Sequence, residues 1–284
     1  MVSFSIIEKI EKFVSEKPRS MQEIAVHLGK NWRTAERYVE VIIKERGTLL
    51  SRTFREGTRG ALRIVYIRQP SSYSYSVFQE EFDKKIMIGN FPEEFSSFDI
   101  YQHIKEDKRT SEIFYSENEE NLNIHSLIEL LKKASKNLFI FSGNLSFINF
   151  SDSKNSVLEV LDELVQKDIS IKVVGRIDIY SRKNLDKLLS LNHKYGKQMI
   201  EVKHRVQPLR CIIVDDKLFR LKEIKMPLRK DYELKNKIFM FYTIYDKQWV
   251  EWITNIFWKM FSSSIGAQKR IDALNSLPQP TQAF

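Results

Sequence analysis

Apolar residues recur at three- and four-residue steps through the first 45 positions, and this period predicts three helices. The first covers FSIIEKIEKFVSEK. The second begins at Ser20, which has Glu23 three residues later in the manner of a capping box, and it ends at Gly29. The third starts from Asn31 as its N-cap. Two helices joined by a short turn that contains glycine predict a helix-turn-helix.

After these helices, apolar residues recur at every second position, a spacing that is typical of strands. TLLSRTF and ALRIVYI flank the glycine-rich basic turn REGTRG, so they predict a β-hairpin. With this hairpin as a wing, residues 3–68 resemble the winged helix-turn-helix family. The resemblance implies binding to double-stranded DNA, with the N-terminal half of the third helix in the major groove.

The candidate DNA contacts lie on the third helix and on the hairpin. Arginine can pair with guanine in a bidentate fashion, and lysine or threonine can hold phosphates. The helix candidates are Lys30, Trp32, Arg33, Thr34 and Arg37. The hairpin candidates for backbone or minor-groove contact are Arg52, Arg55, Arg59 and Arg63. Two alternatives stay open, namely a solvated basic face and a protein-docking module.

From about residue 124 the pattern alternates regularly between helices and strands. Apolar runs predict strands at NLFIFSG, ISIKVVGR, MIEVKHRV, LRCIIVDD and KIFMFYTIY, and a helix closes the series at DKQWVEWITNIFWKMFSSS. The fourth strand is expected to pair antiparallel with the third. Such alternation predicts an α/β sandwich with a largely buried mixed sheet.

These patterns divide the chain into four parts. Residues 1–69 form the winged helix-turn-helix, and residues 70–123 form an acidic connector with two short amphipathic helices. The connector has three open interpretations: a strut, a dimerisation element or a subdomain edge. Residues 124–265 form the α/β unit, and residues 266–284 form a polar tail. A chain of 284 residues is long enough for two compact units.

The net charge of +9 is unevenly distributed along the chain. Residues 1–70 hold 14 Lys/Arg against 8 Asp/Glu (+6), residues 71–125 hold 5 against 12 (−7), and residues 126–284 hold 27 against 17 (+10). Two basic units that flank an acidic middle suit an anionic partner, nucleic acid being the commonest; plain solubility is the alternative. A single cysteine excludes an internal disulfide framework, and no apolar run reaches membrane-spanning length. We therefore expect a cytoplasmic, nucleoid-associated protein.

The segment PLRCIIVD, residues 208–215, resembles the catalytic strand of the phospholipase D superfamily, and the resemblance of the surrounding framework covers residues 124–263. That family's signature is H-x-K-x-x-x-x-D, in which the histidine attacks phosphorus, the lysine holds phosphate oxygens and the aspartate tunes the site. With Asp215 aligned to the aspartate, Arg210 takes the place of the lysine and Pro208 that of the histidine. Proline cannot attack phosphorus, so we expect a non-catalytic unit.

Arg210 has two interpretations. It is either an anion-binding fork or one half of an internal ion pair with Asp215 that fixes the turn. Ser142, Asn144 and Arg176 follow strand ends, where α/β folds place ligands, so they are further candidates for an anion or ligand site with Arg210 and Asp215. The acidic residues show no metal-ligand spacing, and no cofactor is expected.

A winged helix joined to a degenerate phospholipase D-like unit resembles archaeal TrmB-type transcription regulators. The resemblance implies a DNA-binding regulator whose second unit dimerises the protein or binds a small-molecule or phosphate-containing ligand. One alternative is a phosphodiesterase or nuclease with a rebuilt site that uses His204, Arg210 and Asp215. The other is an architectural or docking protein that binds DNA without sequence preference. We expect double-stranded DNA and a second copy of the chain as partners, and no membrane.

Overall fold

The structure is a computed structural model, and it describes residues 2–55, 61–67, 75–116, 124–152, 155–226 and 237–276. Most of the predicted turn REGTRG and of the linker QPSSYSYS lies outside these residues. None of the helices in the described ranges is both long enough and apolar enough to cross a membrane.

The first unit has three helices and a small antiparallel sheet with the strand order β1-β3-β2. The predicted capping box is confirmed, since Ser20 Oγ accepts from the Glu23 N–H at 3.2 Å and the Glu23 carboxylate accepts from the Ser20 N–H at 2.7 Å. Gly29 ends the second helix with a φ of 65°, a conformation that favours glycine. The elements are α1 (Phe4–Glu16), β1 (Arg19–Ser20), α2 (Met21–Leu28), α3 (Trp32–Glu45), β2 (Leu49–Arg55) and β3 (Ala61–Ile67).

The hairpin β2–β3 contributes to two hydrophobic cores. Successive side chains of a strand point to opposite faces. Leu49 and Val65 accordingly pack with the helices of the first unit, whereas Phe54, Leu62 and Ile64 pack into a core formed with the rest of the chain. The described part of the wing is therefore an internal layer between the first unit and the remainder of the protein.

Beyond the hairpin, the connector and the second unit share one large sheet. The elements are α4 (Tyr75–Ile88), α5 (Ser97–Gln102), β4 (Arg109–Ser116), α6 (Ile124–Lys132), β5 (Asn137–Phe141), α7 (Val157–Gln166), β6 (Ser170–Gly175), α8 (Arg182–Tyr195), β7 (Ile200–His204), β8 (Cys211–Val214), β9 (Leu218–Lys225), β10 (Lys237–Ile244), α9 (Lys247–Ser263), β11 (Ile265–Gly266) and α10 (Ala267–Asn275).

The sheet has eight strands in the order β11-β7-β6-β5-β8-β9-β10-β4. Strands β5, β6 and β7 are parallel neighbours, and the other pairings are antiparallel. Helices α6, α7, α8 and α10 pack on one face. Helices α4, α5 and α9, together with the hairpin, pack on the other. The predicted α/β architecture with a mixed sheet is confirmed.

Several local predictions need correction. Strand β8 pairs antiparallel with β5 and β9, not with β7. Strands β4 and β9 lie in segments that were too polar to be recognised, because β4 is an edge strand and β9 carries charged side chains on both faces, Arg220 and Lys222 on one and Glu223 and Lys225 on the other. Helix α10 occupies part of the predicted polar tail, where Ile271 is buried against the second unit.

Candidate functional site

Helix α3 is fixed by its buried face and by its N-cap. Ala35, Val39 and Ile42 are fully buried in the core of the first unit. At the N-terminus, the Asn31 side-chain oxygen accepts a hydrogen bond from the Thr34 N–H at 2.8 Å, as the sequence predicted. The helix is thus held rigidly along its inner side while its first two turns face outward.

The predicted contact residues on this helix share its outer surface. Trp32 exposes 40% of its surface, an unusual state for so large an apolar side chain. The Arg37 guanidinium lies 5.5 Å from the Tyr38 ring centroid and is otherwise exposed. The exposed or partly exposed candidates are Lys30, Trp32, Arg33, Thr34 and Arg37.

Arg63 does not belong to this outer surface. Its Nη1 lies 3.0 Å from a Glu36 carboxylate oxygen and 3.1 Å from one of Glu40, and its Nε donates to Ser51 Oγ at 3.1 Å. Glu36 and Glu40 are on α3, so Arg63 braces the hairpin against that helix. A DNA contact from Arg63 stays a prediction, which these intramolecular contacts do not support.

Arg52 also turns away from the outer surface, because it shares a strand face with Phe54. Its guanidinium lies 5.1 Å from the Tyr101 ring centroid and 3.8 Å from a Glu106 carboxylate oxygen, both in the connector. Of the other hairpin candidates, Arg55 is exposed, and Arg59 lies outside the described residues.

A cavity of about 580 Å³ is the second candidate site. Its described lining includes residues of β4, β5, β8, β9 and β10, of the turn after β5 and of the first unit. Four of the predicted ligand-site residues come together in its lining. These are Ser142, Asn144, Arg176 and Arg210.

Arg210 is held in place by main-chain groups. Its Nη1 donates to the Leu209 carbonyl at 2.8 Å, with a longer contact of 3.5 Å to that of Gln207. The guanidinium lies directly over Gly143, since a Cβ there would be only 2.6 Å from Arg210 Nη2. Gly143 is therefore required for this close approach.

Gln207, which the sequence did not single out, organises the same corner. Its side-chain amide donates to the Ser142 carbonyl at 3.1 Å and accepts from the Leu209 N–H at 2.6 Å. Ser142 Oγ in turn accepts from the Leu145 N–H at 3.1 Å. This buried network joins the turn after β5 to the segment that carries Arg210. Nothing in the local sequence distinguishes Gln207 from an ordinary loop residue.

Asp215 does not pair with Arg210, and it does not line the cavity. The two residues lie at opposite ends of β8. The Asp215 carboxylate accepts hydrogen bonds from the N–H groups of Ser135, Lys136 and Asn137 at 2.8–3.2 Å and from Lys217 Nζ at 3.0 Å. Although burial alone would raise its pKa, these bonds hold the pKa of Asp215 well below the usual carboxyl value. Asp215 fixes the start of β5, so the predicted ion pair with Arg210 is wrong, while its roles in a ligand site or a rebuilt catalytic site stay predictions without support from these contacts.

His204 is a structural residue on β7. Its Nδ1 accepts a hydrogen bond from the Ile177 N–H at 2.8 Å. Burial, together with the nearby Arg270 guanidinium, lowers the pKa of His204. The ring is thus engaged as a neutral acceptor, and His204 is not among the residues that line the cavity. The described geometry gives no support to a nucleophilic role with Arg210, and that role stays a prediction.

Basic side chains of β9 line the cavity beside Arg210. Arg220 lies 3.0 Å from a Glu112 carboxylate oxygen and donates to Ser126 Oγ at 2.7 Å. Lys222 Nζ lies 6.0 Å from the Phe150 ring centroid. The alternation of Arg220 and Lys222 in LFRLKEIK was a signal for this strand face, because residues two apart on a strand point the same way.

A buried ion cluster connects the cavity to helix α2. Lys225 Nζ lies 3.0 Å from a Glu223 carboxylate oxygen and 3.7 Å from one of Glu23, the glutamate of the α2 capping box. Burial alone would lower the pKa of Lys225, but these two carboxylates raise it. Glu223 also accepts from Ser96 Oγ at 2.9 Å. The cluster therefore ties together the first unit, the connector and β9.

Comparisons with known proteins give structural likenesses only. No protein-family model matches the chain, and no curated protein matches it. Solved structures similar to the chain include Nuc of Salmonella typhimurium, a phospholipase D family member (11% identity, 56% of this chain and 98% of that chain, TM-score 0.40). NucT of Helicobacter pylori is similar at 13% identity over 56% of this chain and 99% of that chain, with a TM-score of 0.40. TrmBL2, an archaeal chromatin protein with a novel mode of DNA binding, is similar at 11% identity over 94% of this chain and 95% of that chain, with a TM-score of 0.41.

Both kinds of protein that the sequence resembles are thus among the structural neighbours. Identities and TM-scores of this size do not by themselves define a shared function. The architecture of the second unit rests on its own strand order and pairing.

Proposed function

We propose that the chain is a DNA-binding transcriptional regulator that contacts the major groove through the N-terminal half of α3. The observation that carries the proposal is the exposed set of basic, aromatic and hydroxyl side chains on that half of the helix, opposite a fully buried inner face. The proposal is supported because exposed arginines on the N-terminal half of a recognition helix can pair with base edges in the major groove.

The test is DNA binding by variants of the two exposed arginines. A binding site is first selected from random fragments, and affinity is then measured by fluorescence anisotropy. We expect Arg33→Ala and Arg37→Ala each to weaken specific binding by about 1–3 kcal/mol, the usual value of a bidentate base contact. Lys44→Ala is the matched control, because Lys44 is exposed at the other end of the same helix and should contribute little. Wild-type affinity in both arginine variants would show that α3 does not read DNA.

A competition experiment on the same protein distinguishes a sequence-specific regulator from an architectural protein. Titration of the selected fragment against random competitor DNA gives a specificity ratio, which is large for a regulator. A ratio near one would favour the architectural or docking alternative. Sedimentation analysis tests the proposed homodimer, in which paired first units would read two half-sites.

The phosphodiesterase alternative is less well supported. Among the described residues that line the cavity there is no histidine, and Pro208 stands where the nucleophile would be expected. A nuclease assay on the same protein is the direct check. Cleavage that is lost in His204→Ala would establish the alternative and overturn the non-catalytic role.

A further inference from the structure

The two arginines proposed to read DNA share helix α3 with carboxylates that could occupy them. We infer that Arg63 is a positioning residue for DNA binding, because it holds the side chains of Glu36 and Glu40. Held in this way, the two carboxylates leave the guanidiniums of Arg33 and Arg37 free for base edges. The inference rests on the proposed function, in which those two arginines contact the major groove.

Helix α3 has no net charge of its own, since Trp32–Glu45 contains three basic and three acidic side chains. Glu36 follows Arg33 by three positions. Glu40 follows Arg37 by the same distance. Side chains three apart are neighbours on a helix surface, so each carboxylate is within reach of an outward arginine. An arginine engaged in such a pair would have to give it up before it could bind a base.

The structure shows a different pairing. Nη1 of Arg63 lies 3.0 Å from Glu36 Oε1 and 3.1 Å from Glu40 Oε1. Within the part of the chain that the structure describes, neither Arg33 nor Arg37 pairs with a carboxylate. The hairpin therefore supplies the cation for the acidic side chains of α3, and the helix's own arginines stay available.

Several features make Arg63 the better partner. Its Nε donates to Ser51 Oγ at 3.1 Å, so the guanidinium is already oriented when it meets a carboxylate. Its side chain is only 20% exposed, whereas Arg33 and Arg37 are exposed and would lose side-chain freedom in a surface pair. Arg63 also bonds two like charges that stand four positions apart on one helix and would otherwise repel each other.

The strand that carries Arg63 is anchored from its other side. Arg63 lies on β3 between Leu62 and Ile64, whose side chains are buried in the core formed with the rest of the chain. Successive side chains of a strand point to opposite faces, so Arg63 points towards α3. Its position is thus set by packing on the far face of the hairpin, and it presents a fixed cation to the helix.

The first test measures DNA affinity by fluorescence anisotropy on the selected fragment. Arg63→Gln removes the cation and keeps a polar side chain, and we expect it to weaken specific binding by about fivefold or more. Arg46→Gln is the matched control. Arg46 also pairs with a carboxylate, that of Glu11 on α1 at 3.3 Å, and it follows the C-terminal end of α3. We expect its loss to change the affinity by less than about twofold.

Removing the two carboxylates decides how Arg63 acts. In a protein that carries Glu36→Gln and Glu40→Gln, Arg63 has no carboxylate on α3 to hold. Adding Arg63→Gln to that protein should therefore change the DNA affinity by less than about twofold. A direct contact between Arg63 and DNA would give the same loss with and without the carboxylates. So would a general disturbance of the hairpin, and either result would overturn the inference.

The availability of the arginines is measured without DNA by their rates of modification with phenylglyoxal, mapped by mass spectrometry. Unpaired, exposed guanidiniums react fastest, so Arg33 and Arg37 should react about threefold or more faster than Arg63 in the wild type. Both should slow in Arg63→Gln, because Glu36 and Glu40 then turn to them. Equal rates for Arg33 and Arg37 in the two proteins would overturn the inference.

A second comparison covers the case in which Arg63→Gln does not fold. The wild type is compared with the protein that carries Glu36→Gln and Glu40→Gln. There Arg63 should react faster, while Arg33 and Arg37 keep their wild-type rates. A rise in the rates of Arg33 and Arg37 would show that the carboxylates already occupy them in the wild type, which contradicts the inference.

Failure of this inference and failure of the proposed function give different results. If the wild type binds no selected DNA fragment, the proposed function fails, and the modification rates still show whether Arg63 withholds the two carboxylates. If the wild type and Arg63→Gln bind the fragment equally well, the proposed function stands and Arg63 is not a positioning residue.

Discussion

Replacing Asp215 by asparagine tests whether this carboxylate is structural. Asparagine keeps the shape of the side chain, and it tolerates the left-handed backbone at this position, where φ is 51°. The substitution therefore isolates the loss of charge and of acceptor capacity. One oxygen remains to accept, while the new amide group faces main-chain donors of Ser135, Lys136 and Asn137.

The expected cost follows from these contacts. A hydrogen bond to a charged group contributes about 1.5–3 kcal/mol, and an unsatisfied buried N–H costs about 1–3 kcal/mol. With part of the network retained, we expect the free energy of unfolding to fall by roughly 3 kcal/mol, a large share of a typical total of about 5–15 kcal/mol. Urea unfolding followed by the fluorescence of Trp249 and Trp252, which pack in the second unit's core, measures the change.

The matched control is Asp216→Asn, one residue away and exposed. The pKa of Asp215 is depressed in the folded state, so its stabilisation is present above the ordinary carboxyl pKa of about 3.9 and is lost as the pH falls below it. The difference between wild type and Asp215→Asn should accordingly shrink below about pH 4. Equal urea midpoints for the Asp215 and Asp216 variants at pH 7 would refute the structural role.

Two further predictions concern buried charges near the connector. Burial raises the pKa of Asp99 to about 7, so stability should fall as the pH rises from about 4 to 7, while the unfolded chain is already deprotonated. Asp99→Asn should reduce the loss of unfolding free energy between pH 5 and pH 8 by on the order of 2 kcal/mol, as measured by urea titrations at the two pH values. The same pH dependence in Asp99→Asn as in the exposed control Asp107→Asn would contradict the assignment. Lys225→Met leaves the Glu23 and Glu223 carboxylates without their shared cation, so it should lower the free energy of unfolding by about 3 kcal/mol. An unchanged urea midpoint would show that the cluster does not hold the two units together.

Local signals in the sequence predicted the first unit because their partners are only a few residues apart. Ser20 and Glu23 bond to each other, and Asn31 bonds to the Thr34 N–H. Gly29 marks a helix end through its own backbone conformation. Each of these interactions is complete within one turn of helix, so no knowledge of the tertiary fold was needed.

The side chains of the hairpin were less predictable. Arg52 and Arg63 look equally suited to DNA in the sequence, but their directions depend on what covers each face of the hairpin. The separation of Arg210 from Asp215, by contrast, was available in principle. Five residues of extended chain span roughly 16 Å, too far for an ion pair across an unbroken strand. Part of the cavity lining, Ser142, Asn144, Arg176 and Arg210, was predicted from strand ends, whereas the contributions of β4, β9 and the capping box of α2 could not be, since they meet there only in the folded chain.

The two-sided packing of β2–β3 limits how the first unit can be exchanged during evolution. A recognition module on a free linker can be transferred between proteins as a cassette. Here, a recipient protein would also have to supply a complementary apolar surface for Phe54, Leu62 and Ile64. The outer residues of α3 carry no such constraint, because they contact neither core. Under the proposed function, new DNA specificities would arise by substitution at positions such as Arg33 and Arg37, while the hairpin beneath them changes little.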